Sequence, residues 1–568
     1  MRRETSNTYI AQAARAAKPR IAHAMLISAI VGVGLRSGVA LATANPATWN
    51  GNSGTSSSWG DVANWNGTNG NPDGGGTGVV HFAGSNRLTP NNDYGAFTQF
   101  NQIQFDSGAS SFQLNGNVIK LFGSGTVAKV ENNSANAQTV NFLDGSNRSI
   151  LMESAIELDP TGGDLTINGG ILADFNSGQI SVFGGGGHTL TLNGSFTQNA
   201  PTGSIVNQTN NTIVLNANNS YTGDTQILAG KLQFGLNGKA DSSTIRLGAT
   251  GGSANAELDL LSTTGGQTIG SVVNPRAITS GIITVASQNT SGTNTFFGHF
   301  GLDHALTITQ SGGGTLVFNQ AHTDGATAKT GMDIKGFTVT FAGPGAAGGI
   351  INVSGDIYSS TGSTGNVIIG SASSTPVSVT LSGINTYSGT TTLNSGSTLN
   401  INSASALSTG VLTIGGGCTI DNASAGNITL SNNNALTLSG GSLTFTGTHD
   451  LNFGTGTVTI SGAASRTITT TAGTLTFGGS VTDAGPDVIP ADSSVLQWDW
   501  NAVADRATSK NEGRLFFWLV TPFGARCTLV RADVHVPPHP EPRHRSAGVG
   551  PCSPSRRARG GRASCGRG

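Results

Sequence analysis

The chain has 568 residues, 84 of them Gly, and balances 29 Lys and Arg against 30 Asp and Glu for a net charge of −1. Charged residues make up 10% of it, against about 25% in ordinary globular domains. Few Glu, Lys and Met argue against a helical bundle or a βαβ enzyme. A charge near zero supplies no field that would draw the chain to nucleic acid or to an anionic membrane. Low-charge Gly, Ser and Thr tracts also suit disorder, but here the apolar residues alternate, which disorder does not require.

Residues 1–44 have the form of a secretory signal. Arg2, Arg3, Arg15, Lys18 and Arg20 precede an apolar run from Ala24 to Leu35, and Ala40-Leu41-Ala42 offers a small-residue cleavage site. Cleavage is expected after Ala42 or Ala44. The apolar run is shorter than the roughly 17–25 residues a membrane-spanning helix needs.

Residues 45–96 form an entry module. Trp49, Trp59 and Trp65 lie among Asn and Gly, and the stretch around them ends at His81-Phe82. Large aromatics at a first coil suit a cap over the open end of a stacked core. The alternative is that they stack on sugar.

From 97 to 482 the text is strand, turn, strand. The clearest stretch pairs Ile428 with Leu430, Leu436 with Leu438, Leu443 with Phe445, Leu451 with Phe453, Val458 with Ile460 and Leu475 with Phe477. Period-2 pairs face one way, and the Gly, Asn and Ser between them allow tight turns. Three such strands make a lap of roughly 22 residues, each strand pairing with its counterpart about 4.8 Å above. The fold class expected is all-β: a right-handed parallel β-helix, or β-solenoid, with about three short strands per coil and on the order of 17 coils. Asn at the turns is expected to stack in hydrogen-bonded ladders.

Two stretches 166 residues apart repeat one pattern. Asn219, Tyr221, Gly223, Thr225 and Gly230 in the first correspond to Asn385, Tyr387, Gly389, Thr391 and Gly396 in the second. Each copy reads N-x-Y-[ST]-G-x-T, then two short alternating strands separated by a Gly turn, and such self-similarity marks repeat architectures. The unit, with best copies at 218–235 and 384–401, resembles the autotransporter-associated β-strand repeat of secreted bacterial proteins, also called the passenger-associated transport repeat. That resemblance implies an exported, non-enzymatic passenger-like rod at the cell surface or secreted, a monomer acting as adhesin or structural element, whose repeats assist export. It implies the export machinery as partner, with an outer-membrane barrel or surface glycans beyond it.

After a boundary at 483–505 the composition breaks. Residues 506–568 are rich in Arg and Pro, lose the alternation, and hold Cys527, Cys552 and Cys565, three of the four cysteines. Pro540-Glu541-Pro542 and Arg556-Arg557-x-Arg559 resemble the two ends of a Pro-Glu-Pro sorting signal, without the apolar helix between them. The segment is expected to be a disordered tail, from a read-frame change or truncation. No run of alternating strands fit for a membrane barrel follows residue 505.

No motif calls for a cofactor or a metal. Gly184 to Gly187 is followed by His188, so the phosphate-loop pattern is missing. His322-x-Asp324 and Glu257-x-Asp259 are the nearest approach to catalytic pairs, and isolated pairs suit solvated turn charges better than catalysis. A polysaccharide-acting β-helix enzyme remains the alternative. Charged side chains gathered on one face of three adjacent coils would favour it.

Overall fold

The computed structural model describes residues 47–483, apart from 67–71, 73–78, 124–125, 175–177, 200–201, 320–322, 325–326, 329–330, 344–348, 372–375 and 462–465, together with the strand Leu496–Trp498. The segment 1–44 read as a signal, the tail 506–568 and its three cysteines lie outside the described residues.

The described chain is a parallel β-solenoid of about 15 turns. Its one helical element among the described residues is the 3-10 turn Val62–Asn64. Laps vary in length: one is as short as Ser378 to Thr398, another as long as Thr315 to Ile350. Loops absorb the difference without disturbing the strands, because loop length is cheap in entropy.

Three faces run along the stack. The first is a 14-stranded sheet that includes Ala47–Trp49, Val79–Phe82, Gln102–Phe105, Ala128–Asn132 and Ile156–Asp159 and runs to Ile357–Tyr358. It resumes in sequence position at Ile428–Thr429, Leu451–Asn452 and Leu475–Phe477. The second runs by successive pairings from Asn91–Asn92 to Val481–Asp483. The third is split: five strands from Thr98–Phe100 to Phe196–Gln198, then nine from Thr268–Ile269 to Thr467–Thr470.

Alternation explains the core. In Leu436-Thr437-Leu438 the two leucines are buried and the threonine is half-exposed. Leu436 lies over Leu412 and under Val458, and Thr437 over Thr413 and under Thr459. Inward residues thus form apolar files through the whole stack, while Thr, Asn and Gln form outward files. Cys418 belongs to the inward set and is a buried free thiol.

The expected Asn ladder is present. Asn115, Asn141, Asn168, Asn193 and Asn216, each following an inward apolar residue, are linked side chain to side chain at 2.9, 3.2, 2.8 and 2.7 Å. In every link the Nδ2 of the later residue donates to Oδ1 of the earlier one.

The third face carries two regular outward files in its nine-stranded part. One runs Thr293, Thr315, Ile350, Ser378, Thr398, Thr419, Thr444 and Thr469. The other runs Thr295, Val317, Asn352, Thr380, Asn400 and Asp421.

Both ends of the first face are closed by reversed strands. Trp65–Asn66 pairs antiparallel with Ala47–Trp49, and Leu496–Trp498 pairs antiparallel with Leu475–Phe477.

This register makes opposite demands on neighbours. Leu438→Asp places a charge in the apolar file and is expected to cost several kcal/mol. Thr437→Asp, one residue away on the outer surface, is expected to stay within about 0.5 kcal/mol. Thermal melts followed by circular dichroism check the contrast.

Candidate functional site

The N-terminal tryptophans are consumed by packing. Trp49, Trp59 and Trp65 are 1%, 0% and 5% exposed, so they offer no face for stacking on sugar. Trp59 sits in a cage of Trp65, Phe82, Tyr94, Phe100 and Phe142 with ring centroids 5.5–6.5 Å apart. Trp65 Nε1 donates to the Trp59 carbonyl at 2.8 Å. Such rings each bring a large apolar area and favourable edge geometry. The parallel ladder already includes Ala47–Trp49 and Val79–Phe82, so this segment is both cap and first coil.

The two repeat copies build the same kind of corner. Asn219 Oδ1 accepts from the Phe196 N–H at 2.7 Å, and Asn385 Oδ1 from that of Ile357 at 2.7 Å. Their Nδ2 groups donate to carbonyls of the following coil, Lys239 at 3.0 Å and Ala406 at 2.5 Å. Tyr221 and Tyr387 are fully buried. Each hydroxyl meets the Thr four residues on, Thr225 or Thr391, at 2.6 Å. Burial pushes both phenols up, Tyr387 to about 12, so both hydroxyls stay protonated.

The glycines follow from the stacking. Gly223 N–H donates to Gly203 in the coil before, and Gly389 to Gly365, at 2.7 and 3.1 Å. A Cβ at either position would run into that carbonyl. Gly230 and Gly396 turn at φ of 80° and 76°, where side chains are strained.

The copies sit differently in the lap, which the sequence does not announce. In the first, Thr225–Ile227 lies on the first face and Gly230–Phe234 on the second. In the second, Thr391–Leu393 lies on the second face and Thr398–Ile401 on the third. The motif has advanced by one face.

Charged side chains gather where the sequence analysis did not look. On the first face, register places His81, Gln104, Glu131 and Asp159 in one file, and Gln102, Lys129 and Glu157 in the next. His81 Nδ1 lies 2.9 Å from Asp106, Gln104 donates to Asp106 at 2.8 Å, and Lys129 pairs with Glu131 at 2.9 Å. Asp159 is 4% exposed and accepts from the Phe183 N–H at 3.0 Å. Burial raises its carboxyl to about 7, and the nearby Glu157 and Glu131 add to this.

The same arrangement recurs on the second face. Lys231-x-Gln233 lies under Glu257-x-Asp259, as Lys129-x-Glu131 lies under Glu157-x-Asp159. Lys231 pairs with Glu257 at 3.0 Å. Asp259 Oδ2 accepts from Gln233 and Gln288 at 3.1 and 2.5 Å. The expectation of solvated turn charges is therefore wrong for this pair: Asp259 is strand-borne and fully buried, and burial raises its pKa. Its neighbours along the file cover it, although it points outward. Asp324 falls in a short hairpin, Thr323–Asp324 against Thr327–Ala328, whose side chains, with His322, lie outside the described residues. A Lys-x-[Glu/Gln] strand followed one lap later by Glu-x-Asp is the signal that would have found both quartets.

No family model, curated protein or solved structure matches the chain.

Two predictions follow from this chemistry. Tyr387→Phe removes one hydroxyl and is expected to cost about 1 kcal/mol, whereas Tyr387→Ala empties a core site and costs about 3–5 kcal/mol; denaturant midpoints separate them. Asp159 titrates near 3.9 when unfolded and about 7 when folded. Between those values the folded state holds a proton that the unfolded state lacks. Stability therefore falls as pH rises through about 4 to 7 and levels off above, by at most on the order of 4 kcal/mol. Asp159→Asn is expected to flatten this profile in melts between pH 4 and 8.

Proposed function

We propose that the protein is an exported, non-enzymatic β-solenoid, a secreted or surface rod of the autotransporter-repeat kind that serves as adhesin or structural element. The observation that carries this is the fate of the repeat motif. Its Asn, Tyr and Thr side chains are spent inside the corners of two coils, so the motif builds the stack and offers nothing to a ligand. Stacking coil on coil lets folding advance stepwise along the chain as it emerges, which is the physical use a transport-associated repeat has. The signal-like segment ending at Ala42 or Ala44 supports the same reading. The full chain, expressed with its own N-terminus in a bacterial host, is expected outside the inner membrane and to begin at Thr43 or Asn45 on N-terminal sequencing. A chain found in the cytoplasm and beginning at Met1 would end this reading.

One observation favours a second reading, a polysaccharide-acting enzyme. Ionisable groups of three coils, His81, Lys129, Glu131, Glu157 and Asp159, share the first face, with Gln102 and Gln104 between them. Asp159, whose carboxyl burial raises to about 7, beside the second carboxyl of Glu131 in the same file is the kind of carboxyl pair such chemistry uses. Hydrolysis of a polysaccharide panel that Asp159→Asn or Glu131→Gln abolishes would establish it; no turnover of the panel by the intact chain would remove it.

A further inference from the structure

The nine-stranded part of the third face differs from the rest of the surface. Its strands, from Thr268–Ile269 to Thr467–Thr470, carry a single ionisable outward side chain, Asp421. That carboxylate is folded against the corner, accepting from the Thr448 backbone N–H at 2.9 Å and its hydroxyl at 2.6 Å. The first face, by contrast, bears Lys129, Glu131, Glu157 and Asp159. Every other outward group in the two files of the third face is uncharged, and most are Thr or Ser, with Ile350 the one large exposed apolar side chain. From Ser378 to Thr469 the first file offers a hydroxyl on every coil.

Strand geometry turns these files into a grid. Neighbours along a file are about 4.7–4.9 Å apart, and the files are separated by two residues of strand, about 6.6–6.8 Å. Threonine is stiff at χ1, so each hydroxyl and each methyl is held in place before any partner arrives, and pre-organisation lowers the entropy of binding. Among the described residues of these strands, no long charged side chain stands on the plane. The aromatic residues of these strands, Phe296, Phe318 and Phe445, all point inward and are buried, so a sugar plane would find no ring to stack on. A rigid, two-dimensional array of hydroxyls and methyls, its one carboxylate, Asp421, engaged by Thr448, suits a partner that is itself a lattice of hydrogen-bonding groups. The oxygen repeat on the prism face of hexagonal ice is close to this grid.

We propose that the third face, between Thr293 and Thr469, orders water on its grid and adsorbs to ice. Each coil contributes a weak, water-mediated contact, and repetition along the stack multiplies it. The inference stands apart from the export reading, since a chain retained in the cytoplasm that still bound ice would leave it intact.

The test uses the purified full chain in two assays: partition into a slowly growing ice front, and the shape of single ice crystals in its presence. The chain is expected to enter the ice and facet the crystals. The double variant Thr398→Lys, Thr419→Lys puts two long charged side chains on the grid, and should be excluded from ice while keeping its thermal melt. Thr476→Lys, one such lysine on the first face, should still enter. Exclusion of the unaltered chain from ice overturns the proposal, as does equal loss in Thr476→Lys. So does retention of the unaltered chain on microcrystalline cellulose or chitin with no effect on ice, which would assign the face to a polysaccharide instead.

Discussion

The parallel register between successive coils keeps each inward apolar residue directly over its predecessor, and every other feature of the molecule depends on that alignment. A single coil closes only a handful of inward side chains, each worth roughly 1.5–3 kcal/mol when fully buried. Ordering its backbone costs about 1–2 kcal/mol per residue, so a lone coil does not fold. Stacked, each coil is roof to one neighbour and floor to the next, and the files of Leu, Ile, Val and Phe become one core. The same register carries the surface. Because Leu436 lies over Leu412, Thr437 must lie over Thr413, and outward chemistry is copied along the stack as strictly as inward chemistry. The Asn ladder, the charged quartets and the threonine files are all products of this copying.

Corners are where the copying is set. Asn219 and Asn385 each satisfy backbone groups of the coils before and after, which ties three coils together at the corner. The buried Tyr-Thr pair fills the same corner from within. That the two copies sit one face apart shows that the corner is indifferent to which side of the lap it terminates. The unit of this architecture is therefore one side plus its corner, and a lap is three such units in any phase.

The sequence disclosed the inner half of this design more fully than the outer half. Period-2 pairs such as Leu436 and Leu438 announce strands because alternation has no other common cause. Lap length was less legible, because it is set by the connections, and the extra residues between Phe318 and Met332 in the lap from Thr315 to Ile350 leave no periodic trace. The tryptophans of the entry module could be placed at the end of the stack, but only packing showed that Trp59 is caged by five rings. The charged quartets were legible in fragments. Glu257-x-Asp259 stood out as a pair, yet its partner Lys231-x-Gln233 sits a full lap away, and the burial of Asp259 depends on Gln288 one lap later still. Side chains that meet through stacking rather than through local sequence stay hidden until the register is known.

A stack of parallel strands has a head and a tail that fit each other, since the edge left by the last coil is the template the first coil would extend. Such self-complementary ends generate open filaments when nothing interrupts them. Here the strand Trp65–Asn66 at one end of the first face and Leu496–Trp498 at the other both run backwards. A second copy arriving at either end of that face meets a strand of opposite direction, so the continuous parallel ladder cannot pass from molecule to molecule there. Two short reversals, five residues in all, thus set a limit on polymer growth that the stacking itself does not provide.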